Sequence, residues 1–136
     1  TATGELTLVS RAFRGPANGD STFPTISGDG RFIAFNSRAS NLVDSDTNSI
    51  SDVFLYDREA DTLLGRVSLT ADNQEAQGGG DRFRSVEISL DGNWIVFTSE
   101  AENMIEGVDG GYSNVYRTNA VVPTQVEPPE SVQRDR

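Results

Sequence analysis

The sequence predicts an all-β protein built from two copies of one four-stranded antiparallel unit. Three observations predict it: an internal repeat at an offset of 62 residues, short apolar runs punctuated by Asp-Gly turns, and no stretch with the 3.6-residue apolar period of a helix.

The repeat is seen by laying Ile26–Tyr56 on Ile88–Thr118, which align without a gap. Ile26, Ser27, Asp29 and Gly30 recur as Ile88, Ser89, Asp91 and Gly92. Ile33 and Phe35 recur as Ile95 and Phe97, and Ser37, Ala39 and Asn41 as Ser99, Ala101 and Asn103. Val53-Phe54 returns as Val115-Tyr116. Upstream, Val9-Ser10 matches Val67-Ser68 at an offset of 58, which assigns four extra residues to the loop around Gly78, Gly79 and Gly80. Insertions are tolerated in such loops.

Each copy reads as short strands in order. The first strand spans 22–27, and Ser27-Gly28-Asp29-Gly30 turns the chain, with Asp and Gly supplying positive φ. The second spans 31–37; its consecutive Phe32, Ile33, Ala34 and Phe35 predict cover on both faces. A polar loop over 38–51 precedes strands at 52–57 and 63–69. The second copy gives strands at 84–89, 93–99 and 113–118. Strand length and spacing of this kind predict β-propeller blades. The expected organisation is a detached strand at 1–12, one blade at 13–70, a second at 71–120 and a Pro-rich tail or arm at 121–136.

The second blade lacks its outer strand. The counterpart of Leu63–Leu69 is Gln125–Ser131, where Pro128 and Pro129 have no amide to donate to a ladder. Glu5–Arg11, in contrast, reads like the end of the first blade. The expectation is that this N-terminal strand completes the second blade of a neighbouring copy. Such a contact is head-to-tail and gives a homo-oligomeric ring or a polymer. The competing expectation is a fragment of a longer propeller.

A family resemblance follows from particular residues. Pro24, Ile26-Ser27, Asp29-Gly30-Arg31, Ile33-Ala34-Phe35, Ser37, Ala39 and Asn41-Leu42-Val43 are followed by Asp46, Asn48, Asp52-Val53-Phe54 and Tyr56-Asp57. This pattern resembles the TolB-like family of β-propeller repeats. The resemblance implies the propeller fold. It also implies two further roles, a face that binds a protein or glycan ligand, or a fragment of a propeller-containing hydrolase.

Composition narrows the chemistry. The formal net charge is −10, and all 11 basic residues are Arg. A chain this acidic offers no basic face for nucleic acid and none for anionic membranes, and no apolar run approaches a membrane span. With no Cys and no His there is no thiol, no disulfide and no Ser-His-Asp triad. The expectation is a protein that is not an enzyme. A chain beginning at Thr1 fits either a fragment or a mature end after signal-peptide removal, and the latter predicts an extracellular or periplasmic setting.

The strongest candidate site is a calcium loop. Asp44, Asp46, Asn48 and Asp52 hold positions 1, 3, 5 and 9 of a calcium-loop spacing, with the Ile50 carbonyl between them. Ser49 and Leu55 stand where an EF-hand needs Gly and Glu, so the loop is not an EF-hand. A water-facing Asx-rich turn is the alternative. The pairs Ser27/Asp29 and Ser89/Asp91 read as turn structure, because nothing in the sequence activates a serine. Trp94 replaces Phe32 and is expected in the core, with a sugar platform as the lesser reading. Arg82 and Arg84 around Phe83 read as a solvated strand entry. Together these predict a calcium-stabilised structural protein that assembles by strand donation.

Overall fold

A computed structural model describes residues 4–12, 15–43, 50–72, 74–77, 85–108 and 112–119. Nine strands and no helix occur among them. A two-residue ribbon pairs β1 (Arg11–Ala12) with β2 (Gly15–Pro16). Strands β3 (Ser21–Ile26), β4 (Phe32–Ser37), β5 (Asp52–Asp57) and β6 (Thr62–Arg66) form a four-stranded antiparallel sheet in chain order. Strands β7 (Val86–Ile88), β8 (Trp94–Ser99) and β9 (Asn114–Asn119) form a three-stranded one, also in order.

The tight turns follow from local chemistry repeated in both sheets. Ser27 Oγ donates to Asp29 Oδ1 at 2.7 Å and accepts from the Phe32 amide at 3.0 Å. Ser89 Oγ does the same with Asp91 and Trp94, at 2.6 and 3.0 Å. The carboxylates cap the Arg31 and Asn93 amides. Gly30 and Gly92 alone in these turns take positive φ, 77° and 76°, so Asp29 and Asp91 contribute caps rather than left-handed backbone. Pro24 is accommodated because β3 is an edge strand and its register breaks between Thr22 and Thr25.

Alternation along β4 and β5 gives the four-stranded sheet two apolar faces. Its front carries Phe32, Ala34, Val53 and Leu55. Its back carries Ile33, Phe35, Phe54 and Tyr56. The front packs on Val86, Ile88, Ile95 and Phe97, which lie on the back of the three-stranded sheet. The back of the four-stranded sheet is covered differently. The chain's own Ala39, Leu42 and Val43 lie on it, with Val9, Ala12 and Ala17 from the N-terminal segment. The expectation of cover on both faces of β4 therefore holds, with a second sheet, among the described residues, on the front alone.

The two units stack in one sense, front to back. Gly28 N donates to the Leu90 carbonyl at 2.8 Å across the junction, and the Phe32 ring lies 3.2 Å from where a Gly92 Cβ would stand. Glycine at position 92 is favoured by its positive φ, and the Phe32 ring that seats there leaves only tight room for a Cβ.

Predicted and observed strands differ mainly at their ends. The strand expected over Leu63–Leu69 ends at Arg66, after a register break between Leu55 and Tyr56. Val67 still bonds to Val53, but Leu69 turns away to bridge Glu75. The tail from 121 and the Gly78–Gly80 loop lie outside the described residues.

Candidate assembly surfaces

The N-terminal segment occupies on the four-stranded sheet the place that residues 67–77 occupy on the three-stranded one. Asn41 Oδ1 accepts from the Asn18 amide at 3.0 Å, and its Nδ2 donates to the Pro16 carbonyl at 3.0 Å. Asn103 repeats both bonds with the Gln77 amide and the Glu75 carbonyl, at 2.7 and 3.0 Å. Ala17 packs under the first clamp as Ala76 does under the second. The ribbon pair Arg11–Pro16 answers the bridge Leu69–Glu75. One of the four extra residues of the second copy thus falls before Glu75, not all of them beyond Gln77 as the sequence suggested.

This equivalence places Gly4–Leu8 on the footing of β6, which is hydrogen-bonded to β5. Gly4–Val9 form no strand within the chain, and Leu6 is 97% exposed. These residues line the back of the four-stranded sheet, where Gly4, Glu5, Thr7 and Val9 border a cleft of about 600 Å³ with Ile33 and Tyr56. The three-stranded sheet lies against the opposite face, so Gly4–Leu8 stand away from their own chain's β9. Among the described residues, β9 is an edge strand with β8 as its neighbour.

Equivalent positions are buried unequally. Val53 is fully buried, whereas its counterpart Val115 is 74% exposed. Ile88 is 8% exposed, whereas its counterpart Ile26 is 53%. Trp94, expected in the core, is 41% exposed on the front of the three-stranded sheet, with the Arg117 guanidinium 4.5 Å from its ring centre. Its position is equivalent to that of Phe32, but among the described residues no further sheet covers it. Both the front of one sheet and part of the back of the other thus present apolar surface of the kind buried between them.

A buried ion cluster marks the end of β6. Arg66 Nη1 lies 3.3 Å from Asp52 Oδ2 and 3.7 Å from Glu75 Oε1, and Ser68 Oγ donates to Asp52 Oδ1 at 2.9 Å. Both Arg66 and Asp52 are almost wholly buried. At the equivalent positions the chain has Leu8, Asn114 and Pro16, with Ser10 matching Ser68. All three charges are exchanged together for uncharged residues. Two of the three replacements are on the N-terminal segment and one is on β9. The sequence reading missed this cluster, although an arginine amid apolar strand residues was its signal.

Of the predicted calcium ligands, Asp44, Asp46 and Asn48 lie outside the described residues. Ile50 is half-buried against the core between the sheets, and Asp52 is held by Arg66 and Ser68. Among the described residues no cluster of three or more His, Cys, Asp or Glu side chains is grouped to hold a metal ion. Arg82, Phe83 and Arg84 also lie outside the described residues. The hydroxyls of Ser27 and Ser89 are committed to their turns. They, with the Arg31 and Asn93 amides, hold the Asp29 and Asp91 carboxyls below the ordinary carboxylate range. No protein-family model, curated protein or solved structure matches the chain.

Proposed function

We propose that this chain is a non-enzymatic structural repeat protein that joins copies of itself by strand donation into a ring or filament. Its two larger sheets are read as β-propeller blades of the TolB-like kind, and its setting as extracellular or periplasmic. Gly4–Leu8 of one copy adds to the outer edge of β9 in the next. The register is that of β6 on β5, so Gly4 faces Asn119, Glu5 faces Thr118, Thr7 faces Arg117 and Leu8 faces Tyr116. The observation that carries the reading is the joint exchange of Arg66, Asp52 and Glu75 for Leu8, Asn114 and Pro16. A single change would leave a buried charge without its partner, which is costly; the concerted one leaves none. Residues from the two ends of the chain vary as if they shared one environment.

Edge strands with open amides and carbonyls favour such pairing, and a heterologous contact repeats from copy to copy. The full chain is expected to sediment as a multimer. A chain lacking Thr1–Leu8, which spares the packed Val9, should sediment as a monomer with an unchanged far-ultraviolet circular dichroism spectrum. Equal association of the two proteins would reject strand donation.

Calcium belongs to the same proposal. Asp44, Asp46, Asn48 and the Ile50 carbonyl supply hard oxygen ligands at alternate positions, while Asp52, tied to Arg66, anchors the loop's end. The ion offsets the mutual repulsion of the loop carboxylates. Titrating calcium into metal-free protein in a calorimeter should release or absorb heat, and Asp44→Ala with Asp46→Ala should abolish it. A flat titration of the unaltered protein removes calcium from the reading.

A further inference from the structure

We propose that the exposed front of the three-stranded sheet is a docking surface for the back of the four-stranded sheet of a second copy, with Trp94 as its anchor. The inference rests on the self-assembly reading but concerns a different surface, a sheet face rather than a strand edge. The occupant is indicated by the interface already inside the chain. On one front Ala34, Val53 and Leu55 are buried, and Phe32 partly buried, against Val86, Ile88, Ile95 and Phe97 on the next back. Trp94, Val96, Val115 and Arg117 occupy the same four positions on the exposed front. Pro24, Ile26, Ile33 and Phe35 occupy the matching positions on the other back, where Ile26 and the cleft beside Ile33 remain open. The chain therefore carries both halves of a junction that it also contains in assembled form.

The seat of the anchor can be named. Phe32 rests on Gly92 in the internal junction, so Trp94 rests on Gly30 of the second copy. In the single chain Arg58 lies there, its Nε donating to the Gly30 carbonyl at 2.6 Å. Docking moves Arg58 aside. The front carries Arg117, while the opposing cleft carries Glu5, Arg58 and an Asp61 already paired with Arg11 at 2.7 Å, so the match rests on shape and apolar surface and not on charge.

The second junction departs from the first in several side chains, Arg117 for Leu55 and Pro24 for Val86 among them, and most sharply at the turn. A Cβ at Gly28 would stand 2.8 Å from the Leu90 carbonyl, and the residue that takes the place of Gly28 in the second junction is Leu90 itself. Its side chain holds the turns apart. Leu90→Gly is accordingly expected to assemble at lower protein concentration than the unaltered chain, although it removes an exposed leucine. Generic hydrophobic clustering demands the reverse.

The decisive test uses two variants at exposed positions, Trp94→Glu on the front and Ile26→Arg on the back. Each alone should lose assembly and sediment as a monomer with an unchanged far-ultraviolet spectrum. An equimolar mixture should form particles of twice the chain mass and nothing larger, since one intact front meets one intact back. The single tryptophan supplies a second readout. In the mixture, acrylamide quenching of Trp94 in the Ile26→Arg protein should fall. Undiminished assembly of Trp94→Glu, which would leave the face to some other ligand, overturns the proposal without touching strand donation. A mixture that stays monomeric while both variants remain folded overturns front-to-back pairing. A chain without Thr1–Leu8 that still assembles and still protects Trp94 supports the face contact and removes strand donation alone.

Discussion

Replacing Arg66 with leucine should lower the unfolding free energy by about 3–5 kcal/mol, the usual cost of leaving a buried charge without its partner. The guanidinium is almost wholly buried between Asp52, whose side chain is also buried, and the less enclosed Glu75. Without it, Asp52 keeps the Ser68 hydroxyl but loses its counter-charge. The double change Arg66→Leu with Asp52→Asn should recover most of the loss, because it places at these positions the uncharged residues that stand at their equivalents in the repeat, Leu8 and Asn114. Guanidinium unfolding followed by circular dichroism at fixed protein concentration measures all three midpoints. An Arg66→Leu midpoint equal to that of the parent would show that the pair contributes nothing. A double variant no better than the single would show that the exchange at Leu8 and Asn114 is unrelated to burial.

Phe54→Ala should cost a similar 3–5 kcal/mol, by cavity formation rather than by charge. The ring is fully buried on the back of the four-stranded sheet and stacks on Phe35 at 5.9 Å between centres. With domain stabilities of roughly 5–15 kcal/mol, a loss of that size removes much of the folded margin. Tyr116 occupies the matching place on the three-stranded sheet and is only partly buried, 5.9 Å from Phe97. Tyr116→Ala should therefore cost less, since fewer contacts and less cavity are at stake. The same unfolding measurement compares the two, and equal losses at both positions would contradict the difference in burial.

Much of this architecture was legible because its causes are local. Asp52–Asp57 was predicted residue for residue, and the strands at Phe32 and Trp94 begin one place later than expected. Apolar runs bounded by an Asp-Gly turn define such strands with little help from distant residues. Ser27/Asp29 and Ser89/Asp91 were read as turn chemistry on the same footing, and their hydrogen bonds have that form. What escaped prediction depends on partners far along the chain. Asn41 and Asn103 stood out as repeats, but only the fold shows them clamping a segment more than 20 residues upstream. Arg66 and Asp52 meet across β5 and β6, and the sequence reading had assigned the aspartate to a cation instead. Trp94 was misplaced for a related reason. Pattern reveals that its position is one a repeat buries, but burial needs a neighbouring sheet, and that neighbour is not in the stretch of sequence around it.

The one-way stacking of the sheets has an arithmetical consequence. Each copy brings one four-stranded and one three-stranded unit, always in that order. If the contact between copies repeats the turn angle of the contact within a copy, closure becomes a whole-number condition on units added in pairs. Of the roughly four to eight sheets that toroidal β assemblies hold, only the even counts are open to such a chain. Where the angle carries any pitch, the same parity yields a fibre with direction, whose two tips expose different chemistry and so lengthen at different speeds.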